Sequence, residues 1–122
     1  MASLSKTIKS ADWKTEKHAP VIELPAEIKA GEEFKVKVSL GKGIAHPNTI
    51  EHHIAWISVF FQPEGAPVPF QVGHCEFTGH GPVFTAPSCK VAITTDKPGT
   101  LQALSFCNLH GVWENSAEVK FA

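Results

Sequence analysis

Regular alternation of apolar and polar residues is the clearest pattern along this chain. Phe34, Val36, Val38 and Leu40 alternate with two lysines and a serine, the period of two expected of a strand with one face in the core and one in water. After a polar start, residues 51–61 are apolar at both odd and even positions, which is typical of a central strand buried on both faces. These two segments predict a sheet with a covered inner face.

Shorter extended segments follow the same pattern, separated by turns that contain Gly or Pro. They are residues 68–72, 74–77, 90–95, 101–106 and 112–121. Residues 1–20 are polar and irregular, and no stretch has a helical period with capping residues. Seven short strands, in a chain of 122 residues with nine Gly and nine Pro, predict an all-β, seven-stranded antiparallel immunoglobulin-like β-sandwich. We expect residues 1–122 to form one domain.

Composition and charge exclude several classes of function. The 11 basic residues are all lysine and the formal charge is -1, so nucleic-acid binding, which relies on a basic surface and arginine, is disfavoured. The longest apolar run, residues 54–57, is too short to cross a membrane, and the first residues lack the apolar core of a secretory signal. We therefore expect a cytoplasmic protein without membrane contact.

The three cysteines lack any Cys-x-x-Cys spacing, which argues against a disulfide framework and against a four-thiolate metal site. Cys75 and Cys89 are interpreted as buried or bystander thiols. A disulfide between them is the less favoured alternative in a reducing compartment.

Histidine is the compositional anomaly, with seven in the chain. Several lie at segment ends, and a Cys-x-x-His pair lies before the last strand. Loops at one end of a sandwich converge in space, so imidazoles and a thiolate could share one metal ion there. The candidates are His18, His46, His52 or its neighbour His53, Cys107 and His110. Neighbours on a strand point to opposite faces, and periodicity alone does not choose between His52 and His53; His53, His74 and His80 are most simply surface or hydrogen-bonded residues.

Four motifs, in order and spacing, resemble those of the superoxide reductases of the single-iron neelaredoxin type, whose catalytic domain also occurs in desulfoferrodoxins. They are Glu16-Lys17-His18-x-Pro20, His46-Pro47-Asn48, Glu51-His52-x-Ile54 and Cys107-Asn108-x-His110-Gly111-x-Trp113.

The resemblance implies one mononuclear non-haem iron, Fe2+ or Fe3+, which would reduce superoxide to hydrogen peroxide. Its equatorial ligands would be four imidazoles and its axial ligand a thiolate, supplied by His18, His46, His52, His110 and Cys107. Lys17 and Glu16 would lie near the open sixth position. Backbone amides of the loop after Cys107 could donate to its sulfur.

The resemblance also suggests partners. Because the four-cysteine domain of desulfoferrodoxins is missing, electrons would come from a separate rubredoxin-like protein. Single-domain relatives suggest a homotetramer.

Two rival interpretations use the same fold. A blue-copper carrier would place His and Cys ligands at one end of a sandwich, but its usual axial Met has no counterpart, because the only methionine is Met1. A metal-free immunoglobulin-like binding module would leave the polar loop residues unexplained.

Overall fold

Two β-sheets face each other in the computed structural model, which describes residues 1–122. A one-turn helix, α1 (Leu4–Thr7), precedes eight strands, which are β1 (Lys9–Ser10), β2 (Val21–Glu23), β3 (Phe34–Ser39), β4 (Ile54–Pro63), β5 (Phe70–Glu76), β6 (Ser88–Ile93), β7 (Gly99–Cys107) and β8 (Gly111–Val119). One sheet has the order β1-β8-β7-β4-β5 and the other β2-β3-β6. The all-β sandwich predicted from the sequence is confirmed.

The two most regular segments of the sequence form the facing walls of the core. In β3, Val36 and Val38 are buried while the lysines between them are exposed. In β4, Ile57 and Val59 are fully buried against them, and the outward-facing residues of that strand are half-buried as well. The strand apolar on both faces is therefore central in its sheet, between β7 and β5, as expected.

The strand order is that of an immunoglobulin-like sandwich. The order β2-β3-β6 corresponds to strands A-B-E of that fold, and β8-β7-β4-β5 corresponds to G-F-C-C′. All pairs are antiparallel except β1 with β8, which is parallel.

The sequence predicted seven strands, and the structure has eight. β1 and β2 were missed because two or three residues are too few to show alternation. The two segments predicted at residues 68–72 and 74–77 form the single strand β5, which continues through Gly73. Glycine is required there because a Cβ would collide with the Val91 side chain of the opposite sheet. No helix is of the length and apolarity needed to cross a bilayer.

The polar loops lie together at one end of the sandwich. Cys107, the last residue of β7, lies opposite Ile54, the first residue of β4, and opposite Gly111, the first residue of β8. The irregular segment before β2 reaches the same end, because the Ser105 hydroxyl of β7 donates a hydrogen bond to the His18 carbonyl at 3.2 Å. The fold thus brings residues some ninety positions apart into contact.

Candidate metal centre

A tight hairpin between β7 and β8 positions the Cys-x-x-His pair. Cys107 pairs with Gly111 across a three-residue connection that contains His110. Gly111 has a φ of 84°, the left-handed conformation that closes three-residue hairpins and that residues with a Cβ adopt only with strain. The glycine turns the chain back into β8 and leaves the thiol and the imidazole on the same side of the turn, with Cys107 Sγ 3.7 Å from His110 Nδ1.

Four imidazole rings form a closed quadrilateral beside this hairpin. Going round it, the centroid distances are 4.9 Å from His18 to His46, 4.6 Å to His52, 4.9 Å to His110 and 4.7 Å back to His18. Neighbouring rings are tilted edge to face, whereas His18 and His52, 6.2 Å apart on the diagonal, are nearly parallel. Such an arrangement lets one nitrogen of each ring face a common centre.

The donor atoms of the cluster lie within reach of a single ion. One ligand atom each of His18, His52, Cys107 and His110 falls within 4.8 Å of the others, and His18 Nε2 is 3.0 Å from His110 Nδ1. His46 lies outside this tightest group, but its ring completes the quadrilateral. The structure therefore brings together all five residues that the sequence analysis named as candidate ligands.

Two ring nitrogens of the cluster are buried without a hydrogen-bond partner. His46 Nε2 and His52 Nε2 are buried and have no hydrogen-bond partner, an arrangement that costs free energy in a folded protein. A metal ion bound between the rings would satisfy both nitrogens at once. The four imidazoles and the buried Cys107 thiol are also a donor set suited to a transition metal.

The second nitrogen of two rings is held by the protein. His18 Nδ1 donates to Glu16 Oε1 at 2.7 Å, and His46 Nδ1 donates to the Pro47 carbonyl at 2.7 Å. Each bond places the ring proton on Nδ1 and leaves the Nε2 lone pair free for a metal, as outer partners of ligating histidines do.

Burial keeps two of the rings neutral. Desolvation lowers the pKa of His46 to about 4, outweighing the opposing effect of its bond to Pro47. Desolvation also lowers the pKa of His52, and the positive charges of neighbouring groups, Lys17 among them, add to the effect. A neutral imidazole is the form that binds metal.

Glu16 and Lys17 lie beside the cluster in different ways. Glu16 Oε1 accepts from both the backbone N–H of His18, at 3.0 Å, and its ring. The hydrogen bond from the His18 side chain is the main reason that the pKa of Glu16 is lowered. Glu16 thus contacts the ring nitrogen that faces away from the other donors. Lys17 is half-buried and is the nearby cation whose charge acts on His46 and His52.

Asn108 fastens the hairpin to the loop that carries His52. Its side chain accepts from the His53 N–H at 2.8 Å and donates to the Glu51 carbonyl at 2.9 Å. Its backbone N–H donates to the His53 carbonyl at 3.1 Å. This amide is therefore directed at the neighbouring loop and not at the Cys107 sulfur.

Trp113 supports two of the rings. It lies parallel to His18 with a centroid distance of 5.1 Å, and its indole N–H donates to the His110 carbonyl at 3.2 Å. The supporting roles of Trp113, of the Asn108 side chain and of Ser105 were missed in the sequence. The presence of Asn108 and Trp113 within the Cys107 motif was the available signal, whereas nothing in the sequence distinguishes Ser105.

The other histidines are held away from the cluster. His53 donates from Nδ1 to the Thr49 carbonyl at 2.9 Å and stacks on His80 at a centroid distance of 3.5 Å. His74 bonds to Ser58 on the outer face of its sheet. The structure therefore places His52, and not His53, in the cluster, and the hydrogen-bonded interpretation of His53, His74 and His80 is in agreement with these contacts.

Comparison with known proteins points to one family. The sequence profile of the desulfoferrodoxin family matches residues 10–116. A superoxide reductase from Pyrococcus horikoshii is 52% identical over 117 residues, covering 96% of this chain and 99% of the relative. Neelaredoxin from Megalodesulfovibrio gigas is 50% identical over 119 residues, covering 90% of this chain and 92% of the relative. Among solved structures, the superoxide reductase (neelaredoxin) from Archaeoglobus fulgidus in the reduced form superposes with a TM-score of 0.86 at 46% identity, covering 93% of this chain and 98% of the other.

Proposed function

Because the chain belongs to the desulfoferrodoxin family, we propose that it is a superoxide reductase with one mononuclear non-haem iron. In this proposal superoxide is reduced by one electron to hydrogen peroxide, without formation of dioxygen. The iron would be held by the five side chains gathered at the end of the sandwich, which are His18, His46, His52, His110 and Cys107.

The single observation that carries the proposal is the pair of buried, unpartnered Nε2 atoms of His46 and His52. Water or a hydrogen-bond donor would normally satisfy such atoms, and instead they face two further imidazoles and a thiol. When bound, iron would supply the electron for superoxide and would cycle between the ferrous and ferric states.

Cys107 supplies the only anionic donor of the set. Its side chain is 1% exposed, and a thiolate buried to this extent is stable only beside a positive charge. With four imidazoles as the other donors, the thiolate would offset one charge of a bound metal ion and would donate electron density to it. Cys107 thereby adjusts how readily the centre gives up an electron.

Lys17 provides a cation for an anionic substrate. Its half-buried position next to His18 keeps the ammonium near the rings, where it attracts superoxide from solution and stabilises negative charge as peroxide forms. It also orders water for proton delivery.

Glu16 acts through His18. By accepting a hydrogen bond from His18 Nδ1 at 2.7 Å, it orients the ring and increases the basicity of Nε2. In this structure it is a positioning residue. Its approach to the open metal position in the oxidised state stays a prediction, as do the rubredoxin-like donor, the homotetramer and the cytoplasmic location.

The rival functions fit the site less well. A blue-copper site uses two histidines, a cysteine and a weak axial ligand, and would leave two of the four rings without a role. A metal-free binding module would leave the two Nε2 atoms buried and unsatisfied.

The test is metal analysis of the anaerobically purified protein, followed by reaction of the reduced protein with pulse-generated superoxide. We expect one iron per chain, and one peroxide per superoxide consumed with no dioxygen released. Stoichiometric copper would support the carrier, and release of dioxygen would contradict the proposed reaction.

A further inference from the structure

Two thiols outside the metal centre lie in contact across the sandwich. Cys75 is on β5 of the five-stranded sheet, and Cys89 is on β6 of the three-stranded sheet. The two thiols are in direct contact, with a sulfur-to-sulfur distance of 2.7 Å. Cys89 is fully buried, whereas Cys75 is partly accessible, so a small oxidant can reach one member of the pair.

The close approach is built into the two strands. Gly73, two residues before Cys75, lies against Val91, two residues after Cys89, and has no room for a Cβ. The two contacts are therefore in register, with Gly73 opposite Val91 and Cys75 opposite Cys89. Glycine at the first position lets the two strands come close enough for the thiols to meet at the second.

We propose that Cys75 and Cys89 form a peroxide-sensitive dithiol that is oxidised to a disulfide joining the two sheets. The oxidant is hydrogen peroxide. The inference rests on the proposed function only for the source of that peroxide, which would be the enzyme's own product, and the thiol chemistry itself is independent of it.

The chemistry balances with peroxide as the sole oxidant. Cys75 loses its proton, and the resulting thiolate attacks one peroxide oxygen. The O–O bond breaks, the departing hydroxide takes up that proton and leaves as water, and a sulfenic acid forms on Cys75. Cys89 sulfur then attacks the Cys75 sulfur, the S–O bond breaks, and a second water leaves. Two thiols lose two electrons and two protons, and one peroxide becomes two waters.

The order of the two steps follows from the surroundings of each sulfur. Burial raises the pKa of Cys89 to about 12, and the contact with Cys75 adds to this effect, so Cys89 is protonated and shielded from solvent. Cys75 is the accessible thiol and reacts first, and the contact between the sulfurs favours rapid closure over further oxidation.

The bond would act on a segment that touches the metal-site loops. Residues 76–88 connect the two cysteines, and within them His80 stacks on His53 while the Thr85 carbonyl accepts from Asn48 at 3.1 Å. Joining the ends of this segment restricts the unfolded chain and holds the segment against the loops that carry His46 and His52. We expect the thermal midpoint of unfolding to rise by roughly 5–10 °C on oxidation.

The test is a peroxide titration of the iron-loaded, fully reduced protein, read by alkylation and peptide mass mapping. The expected product is a Cys75–Cys89 peptide pair that has lost two hydrogen atoms and is restored by a thiol reductant. Zinc-loaded protein should give the same product, because zinc has no redox chemistry of its own. Both thiols still alkylating after peroxide has been consumed would overturn the inference.

Two variants check the roles. In Cys89→Ser, the sulfenic acid should persist on Cys75 and be trapped by dimedone, whereas in Cys75→Ser the Cys89 thiol should stay reduced. Trapping on Cys89 instead would refute the assigned order. Since peroxide is added from outside, a protein that fails to reduce superoxide can still pass this test, and the two proposals fail separately.

Discussion

The Asn108 side chain should stabilise the metal centre from outside it, and Asn108→Ala tests this directly. The substitution removes two hydrogen bonds between the hairpin and the 51–53 segment, at 2.8 Å and 2.9 Å. Each such bond contributes about 0.5–1.5 kcal/mol, and because Asn108 is exposed the lower part of that range applies, giving ~1–2 kcal/mol in total. For a chain of this size the thermal midpoint of unfolding should fall by roughly 3–10 °C.

The same change should loosen the metal centre, because His52 and Cys107 would no longer be held at a fixed separation before metal binds. We expect a chelator to remove iron faster from Asn108→Ala than from the wild type, by about tenfold, as for other residues that support metal ligands. Asn108→Asp is the matched control, since it keeps the acceptor for the His53 N–H and should lie between the two. Unchanged unfolding and unchanged chelator rates in Asn108→Ala would refute the reasoning.

Three further predictions concern groups around the rings. Trp113→Phe keeps the stacking on His18 but removes the N–H donor to the His110 carbonyl, so iron should be extracted faster, with the fold retained by circular dichroism. Lys17→Ala should slow the reaction with superoxide about tenfold at low ionic strength and flatten its salt dependence; an unchanged pulse-radiolysis rate would exclude steering by Lys17. In metal-free protein, His46 has a pKa of about 4 when folded and 6.5 when unfolded. The unfolded chain then binds more protons between these values, so stability should fall by roughly 2–3 kcal/mol as pH drops from 6.5 to 4, a loss that urea titrations should find smaller in His46→Gln.

The sequence was sufficient for the parts of the fold that repeat over several residues. β3 and β4 have enough alternating or doubly apolar positions to reveal both the strand and its place in the sheet. The two-residue strand β1 is defined by its pairing with Trp113 and Glu114 of β8. This is a tertiary contact that a local sequence pattern does not predict. The contact between Gly73 of β5 and Val91 of the opposite sheet is likewise a tertiary feature that the sequence pattern does not show.

The candidate site shows the same division. The candidate ligands were expected from the motifs, because His and Cys are chemically distinctive and their positions in the sequence match the motifs. Periodicity could not distinguish His52 from His53. In the structure, a hydrogen bond to the Thr49 carbonyl holds the His53 ring away from the cluster. The hydrogen bond from Ser105 to the His18 carbonyl joins residues far apart in the sequence. Serine is a common residue, so nothing in the sequence marks Ser105 as part of the site.

The contact between Cys75 and Cys89 also differs from the sequence expectation in an informative way. They were interpreted as buried or bystander thiols, with a disulfide between them as the less favoured alternative, and each is free in the structure. Their sulfur contact arises because two strands from different sheets meet at the edge of the sandwich, which pairing of strands within a sheet does not predict.

The most direct test of the proposed centre is the visible absorption of the oxidised, iron-loaded protein compared with Cys107→Ser. A thiolate bound to ferric iron gives a charge-transfer band, and we predict one in the wild type and in the matched control Cys75→Ser, with loss of the band in Cys107→Ser. Retention of the band in Cys107→Ser, with iron still bound at one per chain, would contradict the assignment of Cys107 as the anionic ligand.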